Sequence, residues 1–367
     1  MVVESITVLG FRNLADCEVE LGPGLNLFWG ANGAGKTNLL EATYMALAGR
    51  SCRTRDDREA IAFGQSLCRA EARVTGEGAR PRTFLASVSR ADGRRHLVDG
   101  TPAGPESTRL RPALSVFMPD RLSLIKGPPS GRRAHLDGFC AALWPARDES
   151  RRRYSRALAQ RNALLGRIRA GAAGQSTLDA WETELGAAGV ELIALRREAI
   201  ERMSDPFASA AESLGLGTGT LAYKPRSEAA EPAALAMEIA ARRESDLARG
   251  YTGHGPHLDE LAFERDGKSI RRYGSQGQQR SALLALLFAE RRVLIDDDRP
   301  VPLMLLDDVT SELDTERRTL LVDHLEGEGQ AIVTATEPDH LPSVERRREI
   351  AVRAGHVLGS AAESEAA

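Results

Sequence analysis

The spacing of apolar positions changes period several times along the chain, and each change marks an element. Near the start, Ser5-Ile6-Thr7-Val8-Leu9 is strand-like, and Cys17, Val19 and Leu21 alternate with Glu18 and Glu20 as in a half-exposed strand. Gly22-Pro23-Gly24 turns the chain into a third strand, Leu25 to Phe28. From Lys36 the period becomes helical. Leu39, Leu40, Thr43 and Leu47 share one side, and Gly49 ends the helix. Residues 67–74 and 82–90 alternate again. Turn signals at Gly76-Glu77-Gly78, Ala91-Asp92-Gly93 and Val98-Asp99-Gly100-Thr101 predict a meandering antiparallel sheet.

After the apolar Leu114 to Met118 the character changes, and residues 131–213 carry almost no strand signal. Helices are predicted over 147–170 and 177–204, joined by the glycine-rich tip Ala170 to Gln175, with Pro206 ending or kinking the second. At 1.5 Å per residue the longer helix spans about 40 Å, an arm and not a long coiled-coil rod. A further helix is predicted over 232–248, opened by Pro232 and closed by Gly250. Strands return at Leu261 and Phe263, with a hairpin turn at Asp266-Gly267. A helix over 276–294, a buried strand over 302–306, a helix over 314–326 and a strand at Ala331-Ile332-Val333 follow. The predicted domains are a split α/β head (1–118 plus 250–358), an inserted helical arm (119–249) and a small, acidic, disordered tail (359–367).

Composition narrows the class. At 367 residues, with 42% hydrophobic and 28% charged residues, the chain has an ordinary globular composition and room for about two domains. No apolar run is long enough to span a bilayer, and the N-terminal segment reads as a strand and not as a leader. Cys17, Cys52, Cys68 and Cys140 lack metal-ligand spacing and read as reduced thiols. A soluble cytoplasmic protein without a membrane partner is expected. The net charge of −3 provides no global attraction to nucleic acid, so any such surface must be local. Residues 120–170 are such a place: twelve Arg and Lys stand against four acids, a net of +8.

The chemistry begins at Gly30-Ala31-Asn32-Gly33-Ala34-Gly35-Lys36-Thr37, a complete phosphate-binding loop between a strand and a helix. Backbone N–H groups of such a loop close around a phosphate chain. Lys36 reaches the β/γ oxygens, Thr37 ligates Mg²⁺, and Asn38 continues the helix N-terminus. Downstream, Leu303-Met304-Leu305-Leu306 delivers Asp307 and Asp308. Adjacent acids on a strand point to opposite sides, so Asp307 is assigned to the metal and Asp308 to the attacking water. Tyr273-Gly274-Ser275-Gln276-Gly277-Gln278 opens a helix and presents a second anion-binding start. With one cis phosphate site already present, that predicts a composite site formed when two subunits meet over ATP. A solvated, N-capped helix is the simpler alternative for that segment.

Taken together, these motifs and Ser311-Glu312-Leu313-Asp314 come in the order and spacing of ABC-type ATPase heads, a superfamily that includes SMC-like chromosome-maintenance proteins. Within it the chain resembles the RecF family of bacterial recombination-mediator ATPases. The resemblance also rests on Gly10-Phe11-Arg12-Asn13-Leu14, on Phe117 to Pro129, and on Arg132-Arg133-x-x-Leu136-Asp137. Gln160 to Leu165 and Gly255-Pro256-His257-x-Asp259-Glu260-Leu261 extend it across nearly the whole chain. It implies an ABC/SMC-like P-loop head, with a mixed sheet and an antiparallel β subdomain, that dimerises on ATP. Ser275, Gly277 and Gln278 would reach the γ-phosphate in trans, with Ser311 and Asp314 at the interface. Gapped, single-strand/double-strand junction or duplex DNA, ATP, Mg²⁺ and RecR- and RecO-like proteins are the implied partners.

Asp308 replaces the usual catalytic Glu and shortens its reach, which predicts slow turnover suited to a switch. Leu258 stands where the family commonly has Arg, and Cys52 replaces a common His. Arg132, Arg133, Arg151, Arg152, Arg153 and Arg161 are the candidate DNA contacts. With few aromatics among them, the contact would be to backbone phosphates and salt-sensitive. Two other readings remain. A nucleotide-stabilised scaffold would share the motifs, and a transporter ATPase subunit would want a histidine near 334, where Thr334-Ala335-Thr336 stands.

Overall fold

In the computed structural model of the chain, residues 1–76, 80–104, 110–118, 122–311, 313–326, 329–342 and 347–358 are described. Part of the 76–78 turn, Pro119 to Arg121, Glu312 and the expected tail at 359–367 lie outside the described residues. The N-terminal elements are β1 (Val2–Leu9), β2 (Cys17–Glu20), β3 (Leu25–Trp29), α1 (Lys36–Ala48), β4 (Leu67–Thr75), β5 (Arg82–Ser89), β6 (Gly93–Val98), β7 (Thr101–Pro102) and β8 (Leu114–Phe117). The middle comprises α2 (Ser123–Lys126), α3 (Pro129–Leu143), α4 (Asp148–Arg169), α5 (Leu178–Ser213), β9 (Gly219–Lys224), α6 (Pro232–Ala240) and α7 (Arg243–Arg249). Then come β10 (Glu260–Arg265), β11 (Lys268–Ser269), α8 (Ile270–Tyr273) and α9 (Gln276–Asp296). The chain closes with β12 (Leu303–Leu306), α10 (Thr315–Asp323), β13 (Ala331–Ala335), β14 (Arg348–Arg353) and β15 (His356–Val357).

The chain packs into two units, one of Met1–Arg121 with Pro300–Ala367 and one of Leu122–Arg299. In the first, an antiparallel sheet of order β2-β1-β4-β5-β6-β7 accompanies a mixed sheet of order β15-β14-β3-β13-β12-β8. Leu25–Trp29 lies between β13 and β14 and pairs with both in parallel, and β12 lies parallel between β13 and β8. The Leu303 to Leu306 run is buried on both faces, as a central parallel strand requires. Helix α1 packs on β13 of the mixed sheet and on β4 and β5 of the other. That two-sided burial explains why Leu39, Leu40, Met45 and Leu47 are all fully buried, wider than the one-sided stripe read from spacing. Asp99-Gly100 turns β6 into β7 with both residues at positive φ, as a two-residue hairpin demands.

In the second unit α5 packs against α4, α6, α9, α3 and β9. It continues past Pro206 to Ser213, so the helix does not end at the proline. Phe207, Ala210 and Ala211 are buried, and the Phe207 ring lies 6.2 Å from Phe263 of β10. This packing outweighs the lost hydrogen bond. The helix expected over 232–248 is broken between Ala240 and Arg243 into α6 and α7. Residues 250–299, expected with the head, fall in this second unit because α9 lies along α5 and Ser281 Oγ donates to the Leu214 carbonyl. Strands β9 and β14–β15 were absent from the sequence prediction.

Candidate functional site: a phosphate loop joined to Asp307

Backbone shape alone demands glycine at the mouth of the loop. Gly30 adopts φ 151°, and a Cβ there would stand 2.0 Å from the Val352 carbonyl oxygen of β14. Gly35, φ 115°, would drive a Cβ to 2.7 Å from Leu14 Cδ2. The loop is pinned from outside: the Gly355 N–H donates to the Ala34 carbonyl (2.8 Å), and Asn13 Nδ2 donates to the Gly33 carbonyl (3.0 Å). Asn38 Nδ2 in turn donates to Asn13 Oδ1 (2.6 Å). The loop is thus held in shape before any ligand arrives, which lowers the ordering cost of binding.

Lys36, 8% exposed, donates to the Gly30 and Ala31 carbonyls at 2.7 and 3.0 Å. Burial pushes its pKa down, against the opposing pull of Asp308 and Asp307. Thr37 Oγ1 donates to Asp307 Oδ1 at 2.8 Å, so residues 270 positions apart meet. Thr334 Oγ1 donates to the same oxygen at 2.8 Å and itself accepts from the Asp308 N–H at 2.9 Å. Thr334, where a transporter ATPase would want histidine, therefore positions the acidic pair.

The two acids do not split to opposite sides. β12 ends at Leu306, and Asp308 adopts a left-handed φ of 46°, so both line the cleft. The cleft, about 580 Å³, also takes in Lys36 and Thr37, with Arg12 and Asn13 along its wall. A hydroxyl and a carboxylate oxygen within hydrogen-bond reach beside a phosphate loop are the hard oxygen donors that Mg²⁺ takes, so these residues fit that ion.

Asp307 is 5% exposed, and burial pushes its pKa up, with the Thr37 and Thr334 hydrogen bonds opposing and the Asp308 charge reinforcing the rise. An acid whose folded pKa lies above its unfolded value costs stability when ionised, and that cost grows as pH rises through the folded pKa. Asp307→Asn is therefore expected to raise the melting temperature of the nucleotide-free protein at pH 7. The gain should shrink as pH falls, while Mg²⁺-dependent hydrolysis is lost. A lower melting temperature at pH 7 would refute this account of the carboxylate.

Glu41 was missed as a site residue. It is fully buried on α1 and accepts from Arg12 Nε and Nη2 (both 2.8 Å), Ser51 Oγ (2.6 Å) and Arg53 Nη1 (3.2 Å). Two guanidiniums around one carboxylate fasten the segments at residues 12 and 51–53 to the loop helix. The signal in sequence was the acid itself, five residues past Lys36 on a helix otherwise filled with apolar and small side chains.

Ser275, Gly277 and Gln278 lie in the second unit. Ser275 caps α9 in a capping box: its Oγ accepts from the Gln278 N–H (3.2 Å), and Gln278 Oε1 accepts from the Ser275 N–H (2.9 Å). Gln279 Nε2 donates to the Gly274 carbonyl (2.9 Å) and tethers the preceding turn. An accepting hydroxyl keeps its own hydrogen free to donate, and Ser275 is exposed. Ser311 Oγ donates to the Asp308 carbonyl (3.1 Å), and exposed Asp314 caps α10 through the Arg317 N–H (2.9 Å).

Two of the expected DNA contacts are corrected. Arg161 is 0% exposed, with Nη1 on Asp246 (2.7 Å) and Thr252 (2.8 Å) and Nη2 on Glu182 (3.0 Å). Arg132, 2% exposed, forms a two-pronged pair with Glu260. Neither can reach a phosphate. Arg151 and Arg152 share Asp148, Arg153 pairs with Glu184, and Arg133 donates to the Asp259 carbonyl. Part of the +8 is thus matched by acids outside the segment, Glu260, Glu184, Glu182 and Asp246, while Arg151 and Arg152 share Asp148 within it.

Comparison with known proteins bears on what this cleft belongs to. Residues 5–101 match the AAA domain family model. The DNA replication and repair protein RecF of Heliobacterium modesticaldum is 34% identical over 352 residues, 92% of each chain. This chain belongs to the RecF family. A solved structure of the recombination mediator RecF with ATP, of the RecFOR pathway, aligns at TM-score 0.81 and 26% identity, covering 97% of this chain and 96% of that one. The Smc head bound to the C-winged helix domain of ScpA, 15% identical, shares the fold at TM-score 0.62 over the full length of both chains. The chain thus has an α/β fold, shared with Smc heads, around its phosphate loop, and it belongs with the RecF-family P-loop ATPases. Among its described residues no helix is long and apolar enough to cross a membrane.

Proposed function

We propose that this RecF-family chain is an ATP-gated DNA-binding protein of recombinational repair and replication-fork maintenance, whose ATPase site is completed by a second copy. One observation carries the reading: Thr37 and Asp307 meet at 2.8 Å beside a pre-shaped phosphate loop, while the Ser275 helix start stands exposed with a free hydroxyl hydrogen. The RecF solved with ATP supports the nucleotide. Helices α4 and α5 of the second unit would form the arm.

Mg·ATP, when bound, would supply the phosphoanhydride bond and a metal charge that offsets the phosphate charge. Thr37 Oγ1 and Asp307 would hold the Mg²⁺. Lys36 would leave the Gly30 and Ala31 carbonyls for the phosphates, and the loop N–H groups from Gly30 to Asn38 would cradle them. Asp308, exposed at the same cleft, orients the attacking water and accepts its proton. Ser275, Gly277 and Gln278 of the partner would complete the γ-phosphate shell, with Ser311 and Asp314 beside the interface. A ligand whose site is whole only in the dimer must favour the dimer. Slow hydrolysis, stimulated by DNA, resets the clamp on gapped or junction DNA after it has helped load recombinase with RecR- and RecO-like partners. Arg151, Arg152 and Arg153 would exchange their acidic partners for DNA phosphates.

The test is ATPase activity per protein chain across a hundredfold range of protein concentration. It should rise with concentration and level off once dimers fill. A flat profile would place the whole catalytic site in one chain.

A further inference from the structure

The acids that occupy the arm arginines have no counterpart at a second basic surface of the same unit. Lys126 ends α2, Lys268 stands on β11, and Arg271, Arg272 and Tyr273 form the exposed side of α8. Helix α8 packs against α2 and β11, and Arg271 Nε donates to the Lys126 carbonyl (3.2 Å), so position 126 meets positions 268–273. All four cations are exposed, and among the described residues none has an acid in ion-pair reach. The acids of the adjoining hairpin are engaged elsewhere: Glu260 pairs with Arg132, Glu264 with Lys224 and Asp266 with Arg265. Like charges gathered without counter-ions repel one another, a cost that a string of phosphates removes.

The backbone beneath these side chains is fixed. Ile270 is buried, and Gln279 Nε2 donates to the Ile270 (3.3 Å) and Gly274 (2.9 Å) carbonyls. Arg132 Nη1 holds the end of α2 through the Gly127 carbonyl (2.9 Å). Among the cations stands Tyr273, 73% exposed, with most of its ring in water. We infer that this surface takes a single strand of DNA, with phosphates on Lys126, Lys268, Arg271 and Arg272 and an unpaired base on the Tyr273 ring. The inference rests on the DNA-binding reading above and deepens it by naming the strand and its contacts. Cations that follow a backbone beside a ring on which a base stacks are the chemistry that holds single strands without reading sequence. Paired bases are already stacked, so a duplex would use the cations alone. Arg151, Arg152 and Arg153 exchange an acid for each phosphate, whereas these four have none to give up.

The test is fluorescence anisotropy of the full chain, with Mg²⁺ and a non-hydrolysable ATP analogue, on labelled single-stranded and duplex DNA across a salt series. Lys268→Ala combined with Arg272→Ala is expected to weaken single-strand binding about tenfold or more. It should also flatten the log–log salt slope by about 1.4, roughly 0.7 for each lost contact. Lys268→Arg combined with Arg272→Lys keeps both charges and should keep the affinity. Tyr273→Ala should weaken the single strand about tenfold while duplex stays within twofold, and Tyr273→Trp should restore it. An unchanged slope in the double alanine variant would overturn the inference, as would equal losses of single strand and duplex in Tyr273→Ala. Loss of analogue-induced dimers in either variant would assign the surface to the subunit interface and overturn it too. Wild-type protein that binds neither DNA would sink the DNA-binding reading itself, and this inference with it.

Discussion

Arg161→Ala destabilises the protein by about 3–5 kcal/mol, because removing one partner of a buried ion pair leaves uncompensated charge in the interior. Here two carboxylates lose this partner, Glu182 and Asp246, both nearly inaccessible to solvent. Thr252 Oγ1 loses its donor from Arg161 as well. Arg243 still pairs with Glu182, which softens part of the loss, and Asp246 keeps the Gly253 N–H (2.9 Å) at its other oxygen. Equilibrium denaturation in urea reads the effect. Arg152→Ala is the control: its half-exposed side chain shares Asp148 with Arg151, and surface pairs of that kind contribute about 0–1 kcal/mol. Equal, small losses from both substitutions would mean that Arg161 is not the buried hub of its unit.

Ser275→Arg abolishes hydrolysis, lowering the rate by about 10² or more, the scale of losing a positioned donor to transition-state charge. The same substitution leaves ATP affinity of the isolated chain within about twofold, since the cis contacts proposed above all belong to residues of the other unit. The cap lost at α9 costs about 0.5–2 kcal/mol. α9 survives that loss because Leu283, Leu284, Leu286 and Leu287 are buried. Loss of catalysis with retained binding and fold is the signature of a residue acting on a neighbouring subunit's nucleotide.

The phosphate loop, Thr37 and the Asp307-Asp308 pair were legible in sequence because each rests on local chemistry: glycines at fixed offsets, a hydrophobic strand, adjacent acids. The strand of Arg348–Arg353 was not. Only Ile350 and Val352 mark its inward face, and its importance lies in a neighbour 322 positions away, where the Val352 carbonyl meets Gly30. The arginine segment misled for the same reason. Net charge over a window of sequence counts Arg132 and Arg161 but not Glu260, Glu182 and Asp246, which long-range packing brings to them. Glu41 looked like one more helix-favouring residue, and only the positions of Arg12, Ser51 and Arg53 give it a role. Local rules brought out the candidate residues, while the partners of buried charges were set by topology.

Sedimentation velocity of wild-type protein and Ser275→Arg, each with ADP and with a non-hydrolysable ATP analogue, tests the composite site most directly. The account predicts monomers with ADP, dimers of the wild type with the ATP analogue, and monomers of Ser275→Arg that still bind the analogue. Dimers of Ser275→Arg with the analogue, or a wild-type oligomeric state indifferent to nucleotide, would contradict it.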